Sequence, residues 1–182
     1  MMRALIAATL CVGWAMHGVD VAHAQSYPNR PIKIVVPFPA GGPTDGTARI
    51  ISDRLGAVLG QTIIVENRGG AGGGIGGKVV ATSDPDGYTL LLTPGGALTT
   101  GPAVNPSIGY DPAKAFVPVA QIIDTPQVVA VHQDVPAKTL AEVVAYAKAN
   151  PGQLKWGSQG FGTAPHLLAE LFRLDKIGRA HV

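Results

Sequence analysis

The stretch Ile32-Lys-Ile-Val-Val-Pro-Phe-Pro-Ala-Gly-Gly-Pro-Thr-Asp45 carries an apolar run into a glycine-rich turn, and a helix-like segment follows it. Two further stretches repeat this order: Thr62-Ile-Ile-Val-Glu-Asn-Arg-Gly-Gly-Ala-Gly-Gly-Gly-Ile-Gly-Gly77 and Leu154-Lys-Trp-Gly-Ser-Gln-Gly-Phe-Gly-Thr163. Such a turn leaves backbone N–H groups without intrahelical partners, and the helix dipole favours a negative charge beside them. The three glycine turns together predict a pocket that holds an anion with main-chain amides.

Strands and helices are predicted to alternate between these turns. The predicted strands cover residues 32–36, 63–66, 89–93 and 154–157, and the predicted helices cover residues 45–59, 73–81, 139–150 and 163–174. Thr139 and Glu142 match a capping box at the start of the third helix. Residues 94–124 are predicted to be irregular with helical turns, and the apolar run 127–132 leads out of the first domain. Repeated strand–helix units predict a parallel, doubly wound α/β sheet with ligands at the carboxyl ends of its strands, where all three glycine turns lie.

The first 24 residues have the features of a secretory signal peptide. A short positive start, Met1-Met2-Arg3, precedes an apolar run over residues 4–16 that is too short to span a bilayer. Ala22-His23-Ala24 is a small-x-small cleavage site, so we expect the mature chain to begin at Gln25. An N-terminal anchor helix is the alternative, and Asp20 argues against it.

The composition limits the classes of partner. Cys11 is the one cysteine and would leave with the signal peptide, so the mature protein would have no disulfide and no Cys-based zinc site. A net charge of +2 over 182 residues, with 14% charged and 46% hydrophobic residues, indicates a globular core rather than a nucleic-acid-binding surface. We therefore expect a soluble, monomeric protein without a nucleic-acid partner, located in the periplasm if the source is a Gram-negative bacterium.

The second glycine turn has a nucleotide-binding alternative. Gly72, Gly74 and Gly77 fit the G-x-G-x-x-G spacing, but no acidic residue stands about 20 positions later to bind a ribose. Gly77-Lys78 nearly completes a P-loop, but Val79 replaces the hydroxyl that would hold magnesium. Both nucleotide interpretations are disfavoured. A purely structural role, in which glycines permit tight strand–helix packing, stays open for each turn.

Catalytic and metal-binding patterns are incomplete in this sequence. Ser158 is preceded by Trp156-Gly157, where a nucleophile elbow would need glycine at position 156. His132 and His166 are isolated, and no H-x-x-x-H or paired-carboxylate spacing occurs. With no nucleophile–base pair, metal set or cofactor motif, the sequence favours a binding protein over an enzyme.

Several motifs follow one another from residue 27 to about residue 175 in an order typical of one family. They are Tyr27-Pro-Asn-Arg-Pro-Ile, Val36-Pro-Phe-Pro-Ala-Gly-Gly-Pro-Thr-Asp45, Val65-Glu-Asn-Arg-Gly-Gly-Ala-Gly-Gly-Gly, Pro85-Asp-Gly-Tyr-Thr-Leu-Leu, Tyr110-Asp-Pro, Ala147-Lys-Ala-Asn-Pro-Gly and Ser158-Gln-Gly-Phe-Gly-Thr-Ala-Pro-His166. The sequence resembles the Bug family, the periplasmic solute-binding proteins of tripartite tricarboxylate transporters. The resemblance implies a two-domain, type II periplasmic-binding-protein (Venus-flytrap) fold that binds a small carboxylate in its cleft and delivers it to membrane permease subunits.

The resemblance also implies which residues face the ligand. In the first turn, the amides of Ala40, Gly41 and Gly42 and the hydroxyl of Thr44 would hold carboxylate oxygens, directly or through water. Asp45 either caps the following helix or faces the ligand. The other implied ligand-binding residues are Phe38 in the first turn, Gly72 and Gly73 in the second, Thr93 after the third strand, and Ser158, Gly160, Gly162, Thr163 and His166 in the third. Arg68 is assigned instead to a structural salt link.

The implied domain organisation departs from the family at the end of the chain. Residues 25–124 would form the first domain and residues 125–176 the start of a second, incomplete one. Residues 177–182 resemble a translated sequencing adapter, so we expect a truncated fragment with an artefactual tail. Two other functions stay open: a sensor that passes its ligand to a membrane receptor, and an exported α/β enzyme whose catalytic half is missing.

Overall fold

A computed structural model describes residues 26–177 of the chain. The predicted signal peptide and nearly all of the predicted artefactual tail lie outside the described residues. Within residues 26–177, none of the helices has the length and apolar character needed to cross a membrane.

Three parallel strands form the sheet: β1 (Ile32–Val36), β2 (Ile63–Asn67) and β3 (Thr89–Leu91). Their order is β2-β1-β3, with Ile34 of β1 opposite Val65 of β2 and Leu90 of β3. All three were predicted from the sequence, although β3 ends two residues earlier than expected. Because β1 has a neighbour on each side, its carboxyl end lies at the centre of the sheet edge, and the first glycine turn starts there.

Six α-helices and four shorter turns complete the described chain. The helices are α1 (Pro43–Leu59), α2 (Gly74–Ala81), α3 (Thr100–Val104), α4 (Pro112–Ala115), α5 (Leu140–Ala149) and α6 (Ala164–Phe172). The shorter turns are 3-10 turns at Ala71–Gly73, Gly95–Ala97 and Pro106–Ile108, and a π-helical turn at Arg173–Ile177. The short helices between residues 94 and 124 agree with the irregular region predicted there.

The core forms where α1 packs on β1. Ile34, Val36 and Ala48 are buried together, and half-buried apolar side chains surround them, namely Phe38, Ile63, Val65, Leu90 and Leu92. Helix α1 begins two residues before the predicted start, because Pro43 occupies the first helical position, where its fixed φ and missing N–H are tolerated. This core anchors the first glycine turn at both of its ends.

Helix α5 has the predicted capping box. The Thr139 hydroxyl accepts a hydrogen bond from the Glu142 amide at 3.3 Å, and the Glu142 carboxylate accepts one from the Thr139 amide at 3.2 Å. The helix ends at Ala149, before Pro151-Gly152, as predicted.

The predicted strand at residues 154–157 is wrong: these residues have no regular secondary structure. The apolar run 127–132 is likewise not a strand, and it lies in a segment, residues 117–134, that is exposed throughout. A parallel strand needs a neighbour to complete its ladder of hydrogen bonds, and no strand among residues 26–177 lies beside either segment.

Candidate functional site

The first glycine turn projects from the core at the carboxyl end of β1. Pro37 is fully buried, and the Asn67 amide group donates a hydrogen bond of 3.1 Å to the Phe38 carbonyl, so the start of the turn is fixed. Ala40 and Gly41 are exposed. Gly41 has φ +81°, and a Cβ there would meet no described atom within 4 Å. The tip of the turn therefore faces open space.

Asp45 lies in the first turn of α1 and is buried, with 3% of its surface exposed. Its Oδ2 accepts hydrogen bonds from the Gly41 amide at 2.9 Å and from the Arg49 side chain at 3.0 Å. These partners, Arg49 first, lower the pKa of Asp45 from 3.8 to about 2. The N-cap residue is Gly42, which has no side chain that could cap the helix. Oδ2 thus has a structural role at the helix start, while the buried Oδ1 has no hydrogen-bond partner among the described residues, and the ligand role of Asp45 stays a prediction.

The same contact occupies one predicted donor. The Gly41 N–H was expected to hold a ligand oxygen, but Asp45 accepts it instead because this carboxylate lies four residues ahead, on the first turn of the helix. The amides of Ala40 and Gly42 have no acceptor among the described residues. The Thr44 amide is at a helical position that has no intrahelical acceptor, and the Thr44 hydroxyl, which is the donor predicted there, has no partner among the described residues. Three of the predicted donors thus remain available at the positive end of the α1 dipole.

The second glycine turn packs directly under the first. Gly73 has φ +101°, and a Cβ there would lie 3.6 Å from the Phe38 ring and 2.9 Å from the Ala97 side chain. Its amide donates to the Gly70 carbonyl at 3.0 Å. For Gly73, the geometry therefore supports tight packing, the structural role left open by the sequence.

The third glycine turn satisfies most of its own polar groups. Ser158 Oγ accepts from the Gly160 amide at 3.3 Å, and His166 Nδ1 accepts from the Gly162 amide at 3.4 Å. The Thr163 hydroxyl donates to the Gly160 carbonyl at 2.7 Å, and Thr163 is 5% exposed. The donors predicted at Gly160, Gly162 and Thr163 are thus occupied within the turn. The Ser158 hydroxyl hydrogen and the Nε2 of His166 are left for a ligand.

The second and third turns meet at glycines. The Phe161 carbonyl oxygen lies where a Cβ on Gly72 would be, and the Thr163 methyl lies 3.8 Å from that position. A Cβ on Gly96 would lie 3.2 Å from the Ala164 amide nitrogen. The structure therefore brings together Gly72 and Thr163, which lie 91 residues apart in the sequence. Thr93 is half-buried and lies two residues before the Gly95–Ala97 turn. Its hydroxyl donates to the Pro94 carbonyl at 3.2 Å.

Thr100 joins these turns, although no sequence motif indicated it. Its hydroxyl oxygen lies 3.0 Å from the Gly96 carbonyl oxygen and 3.0 Å from the Gly162 carbonyl oxygen. The only sequence signal is a threonine at the start of a short helix, which predicts a local contact and not one 62 residues away.

Arg68 has the structural role predicted for it. Its guanidinium pairs with Glu66, and Lys33 pairs with the same carboxylate at 2.7 Å. Lys33 and then Arg68 lower the pKa of Glu66. The three side chains tie β1 to β2 next to the second turn, and Arg68 is committed to this contact.

A cavity of about 270 Å³ lies beside α5 and α6. Of the predicted site residues, Ser158 and His166 line it, together with apolar side chains that include Val143, Trp156 and Phe172. The described residues contain no group of three His, Cys, Asp or Glu side chains placed to hold a metal ion.

Comparisons with known proteins agree on one family. A family model described as "Tripartite tricarboxylate transporter family receptor" matches residues 47–181. Protein BugT of Bordetella pertussis is 43% identical over 152 residues, which are 83% of this chain and 47% of that protein. The chain spans about half the length of the curated relatives it matches.

Solved structures share the fold. An R. palustris protein with adipate is 35% identical with a TM-score of 0.80, over 86% of this chain and 52% of that one. MatC from Rhodopseudomonas palustris, with bound malate, is 36% identical with a TM-score of 0.76, over 86% and 53% of the two chains. Other matching structures are periplasmic binding and transport proteins. The predicted α/β, periplasmic-binding-protein fold is confirmed for the residues covered.

Proposed function

Because the chain belongs to the tripartite tricarboxylate transporter receptor family, we propose that it captures a small carboxylate-containing solute in the periplasm and presents it to the permease subunits of a transporter. One observation carries this proposal. The first glycine turn places amides without acceptors at the positive end of α1 and at the carboxyl end of the central strand. Two similar solved structures carry adipate and malate, which are both dicarboxylates.

Ala40, Gly42 and Thr44 make the primary contacts in this proposal. Each hydrogen bond to a charged group contributes about 1.5–3 kcal/mol, so two or three amide donors hold one carboxylate without an arginine. Arg49 neutralises Asp45 behind the turn, so the buried carboxylate repels the ligand less. Gly72, Gly73, Phe38 and Thr93 shape the adjoining wall. Ser158 and His166 supply the donors of the third turn.

Several wider features belong to the same proposal. The signal peptide would be cleaved after Ala24, residues 25–124 would form one domain, and residues 125–176 would begin the second. The protein would act as a monomer and would bind its ligand without catalysis. The family match and the periplasmic binding proteins among the similar structures support the periplasmic location.

A pair of substitutions at Gly42 tests the role of the first turn. Gly42 has φ −78°, which proline adopts without strain, so Gly42→Pro removes the N–H and keeps the backbone angle. Gly42→Ala is the matched control, because its Cβ would lie 3.4 Å from the Pro39 carbonyl oxygen, an ordinary contact, and it keeps the N–H.

The measurement is titration calorimetry of the complete protein with a panel of mono-, di- and tricarboxylates that includes adipate and malate. Loss of one charge-assisted hydrogen bond corresponds to about a 10- to 150-fold weaker affinity for Gly42→Pro. Gly42→Ala should bind as the unaltered protein does. Equal affinity of the unaltered protein and both variants would show that the Gly42 amide does not contact the ligand. If the unaltered protein binds none of the carboxylates, the proposed function is wrong.

A further inference from the structure

Thr100 makes a hydrogen-bonding contact between two turns that are distant in the sequence. Its half-buried hydroxyl lies 3.0 Å from the carbonyl oxygen of Gly96, one turn back in its own segment, and 3.0 Å from that of Gly162. The first contact is the ordinary local one for a threonine in a helix. The second contact reaches the third glycine turn.

The backbone around this contact is closely packed. A Cβ on Gly162 would lie 2.9 Å from the Val104 side chain, closer than real Cβ atoms approach, and Gly162 has φ +78°. The Phe161 carbonyl oxygen comes still closer to the position that a Cβ on Gly72 would take. The third turn is therefore held between α3 and the second turn by contacts that only glycines permit.

Both polar groups of Gly162 are then committed. Its N–H donates to His166 Nδ1 at 3.4 Å, and its carbonyl lies 3.0 Å from the Thr100 hydroxyl, whose single hydrogen it shares with the Gly96 carbonyl. The orientation of the Gly162 backbone thus links Thr100 to the His166 ring, which also contacts the Phe161 ring with 4.9 Å between the ring centroids. A change at Thr100 would release the carbonyl and allow this part of the turn to rotate.

We propose that Thr100 is a positioning residue: its hydroxyl fixes the third glycine turn against the Gly95–Ala97 turn and so sets where Ser158 and His166 meet a ligand. Thr100 fixes the third turn whether or not a ligand is present. Its effect on Ser158 and His166 at a ligand rests on the proposed function.

Neighbouring threonines provide a matched experiment. Thr100→Val keeps the shape of the side chain and removes the hydroxyl, and Thr100→Ser restores the hydroxyl. Thr99→Val is the control, because among residues 26–177 the Thr99 hydroxyl makes the local contact alone, 3.0 Å to the Gly95 carbonyl. All variants are made in the complete protein.

The first readout is amide hydrogen exchange of residues 160–167 without ligand. We expect at least a tenfold faster exchange at Gly162 and Thr163 in Thr100→Val, and unaltered exchange in Thr100→Ser and Thr99→Val. Unaltered exchange in Thr100→Val would overturn the proposal, whatever the ligand result.

The second readout is the dissociation rate of adipate and of malate, measured by stopped-flow. Faster dissociation in Thr100→Val, restored in Thr100→Ser, would support the role at the ligand. Equal dissociation rates in all variants would reject that role. If exchange changes as expected but neither acid nor any other carboxylate binds the unaltered protein, the proposed function fails and the fixing of the turn by Thr100 stands.

Discussion

The backbone N–H of Gly41 donates a hydrogen bond of 2.9 Å to Oδ2 of Asp45, four residues later in the chain. This contact closes the first glycine turn on the start of α1. The neighbouring amides of Ala40 and Gly42 have no acceptor among the described residues, and the carboxylate is the one that Arg49 also contacts at 3.0 Å. The Asp45 carboxylate thus fixes the shape of the turn in the absence of a bound carboxylate ligand.

Asp45→Asn should destabilise the protein in a pH-dependent way. The folded-state pKa of Asp45 is depressed from 3.8 to about 2, so its stabilising effect is fully present above pH about 4 and is lost as the pH falls through 2. The difference in unfolding free energy between Asp45→Asn and the unaltered protein should be constant from pH 5 to 7 and shrink between about pH 4 and pH 2.

Urea unfolding followed by circular dichroism measures this difference. Asp53→Asn on the exposed face of the same helix is the control and should have little effect at any of these pH values. A difference for Asp45→Asn that stays the same down to pH 2 would contradict the ionised role of Asp45.

Gly41→Ala should cost stability more than affinity. At φ +81° an alanine is strained by about 1–2 kcal/mol, although a Cβ there meets no described atom. The N–H remains donated to Asp45, so carboxylate binding should weaken less than in Gly42→Pro. Gly41→Asn, which tolerates this backbone region better, should recover part of the lost stability in the same unfolding measurement. A larger affinity loss for Gly41→Ala than for Gly42→Pro would contradict this expectation.

Gly77→Ala should destabilise the protein by about 1–3 kcal/mol, because overpacking forces neighbours to move. The Tyr110 hydroxyl lies against Gly77, where a Cβ would be. Gly46→Ala is the control: it is also a helical glycine, has open space around it, and should stabilise by up to about 1 kcal/mol. The two unfolding free energies should therefore move in opposite directions.

Tyr110→Phe tests whether the Tyr110 hydroxyl causes the destabilisation expected for Gly77→Ala. The Tyr110 hydroxyl is buried with no hydrogen-bond partner in the described part of the chain, and burial raises its pKa. Removing it should leave stability unaltered or slightly higher. In combination with Gly77→Ala it should restore part of the loss, and a combined effect equal to the sum of the single effects would rule out this contact as the cause.

The 182-residue chain should associate through residues 117–131. Val117, Val119 and Val128 are 87%, 85% and 84% exposed in a segment without regular secondary structure, and exposed apolar patches promote aggregation. Val119→Lys with Val128→Lys should lower light scattering at a given concentration. Ile50→Lys, which alters a single exposed side chain on α1, is the control. A sharp, reversible melt of the unaltered chain as a monomer would count against association.

Local signals made part of the fold predictable. The strand at Ile32–Val36 and the capping box at Thr139 and Glu142 depend on residues close in sequence, and both were found as predicted. The strand at residues 154–157 failed because pairing depends on a distant partner. The Gly41 amide was predicted to donate to a ligand, but the carboxylate of Asp45 competes for the same N–H and accepts it in the folded protein. Thr100 could not be predicted, because its contact with Gly162 exists only after both turns have folded.

The contact at Gly72 has a mechanical consequence. Where a carbonyl group meets a glycine backbone, no side chain is present whose rotamers could absorb a displacement. A shift of the Phe161 peptide therefore pushes directly on the segment that enters α2 two residues later. The two turns form a stiff joint, so a molecule that immobilises either turn should dampen the fluctuations of both.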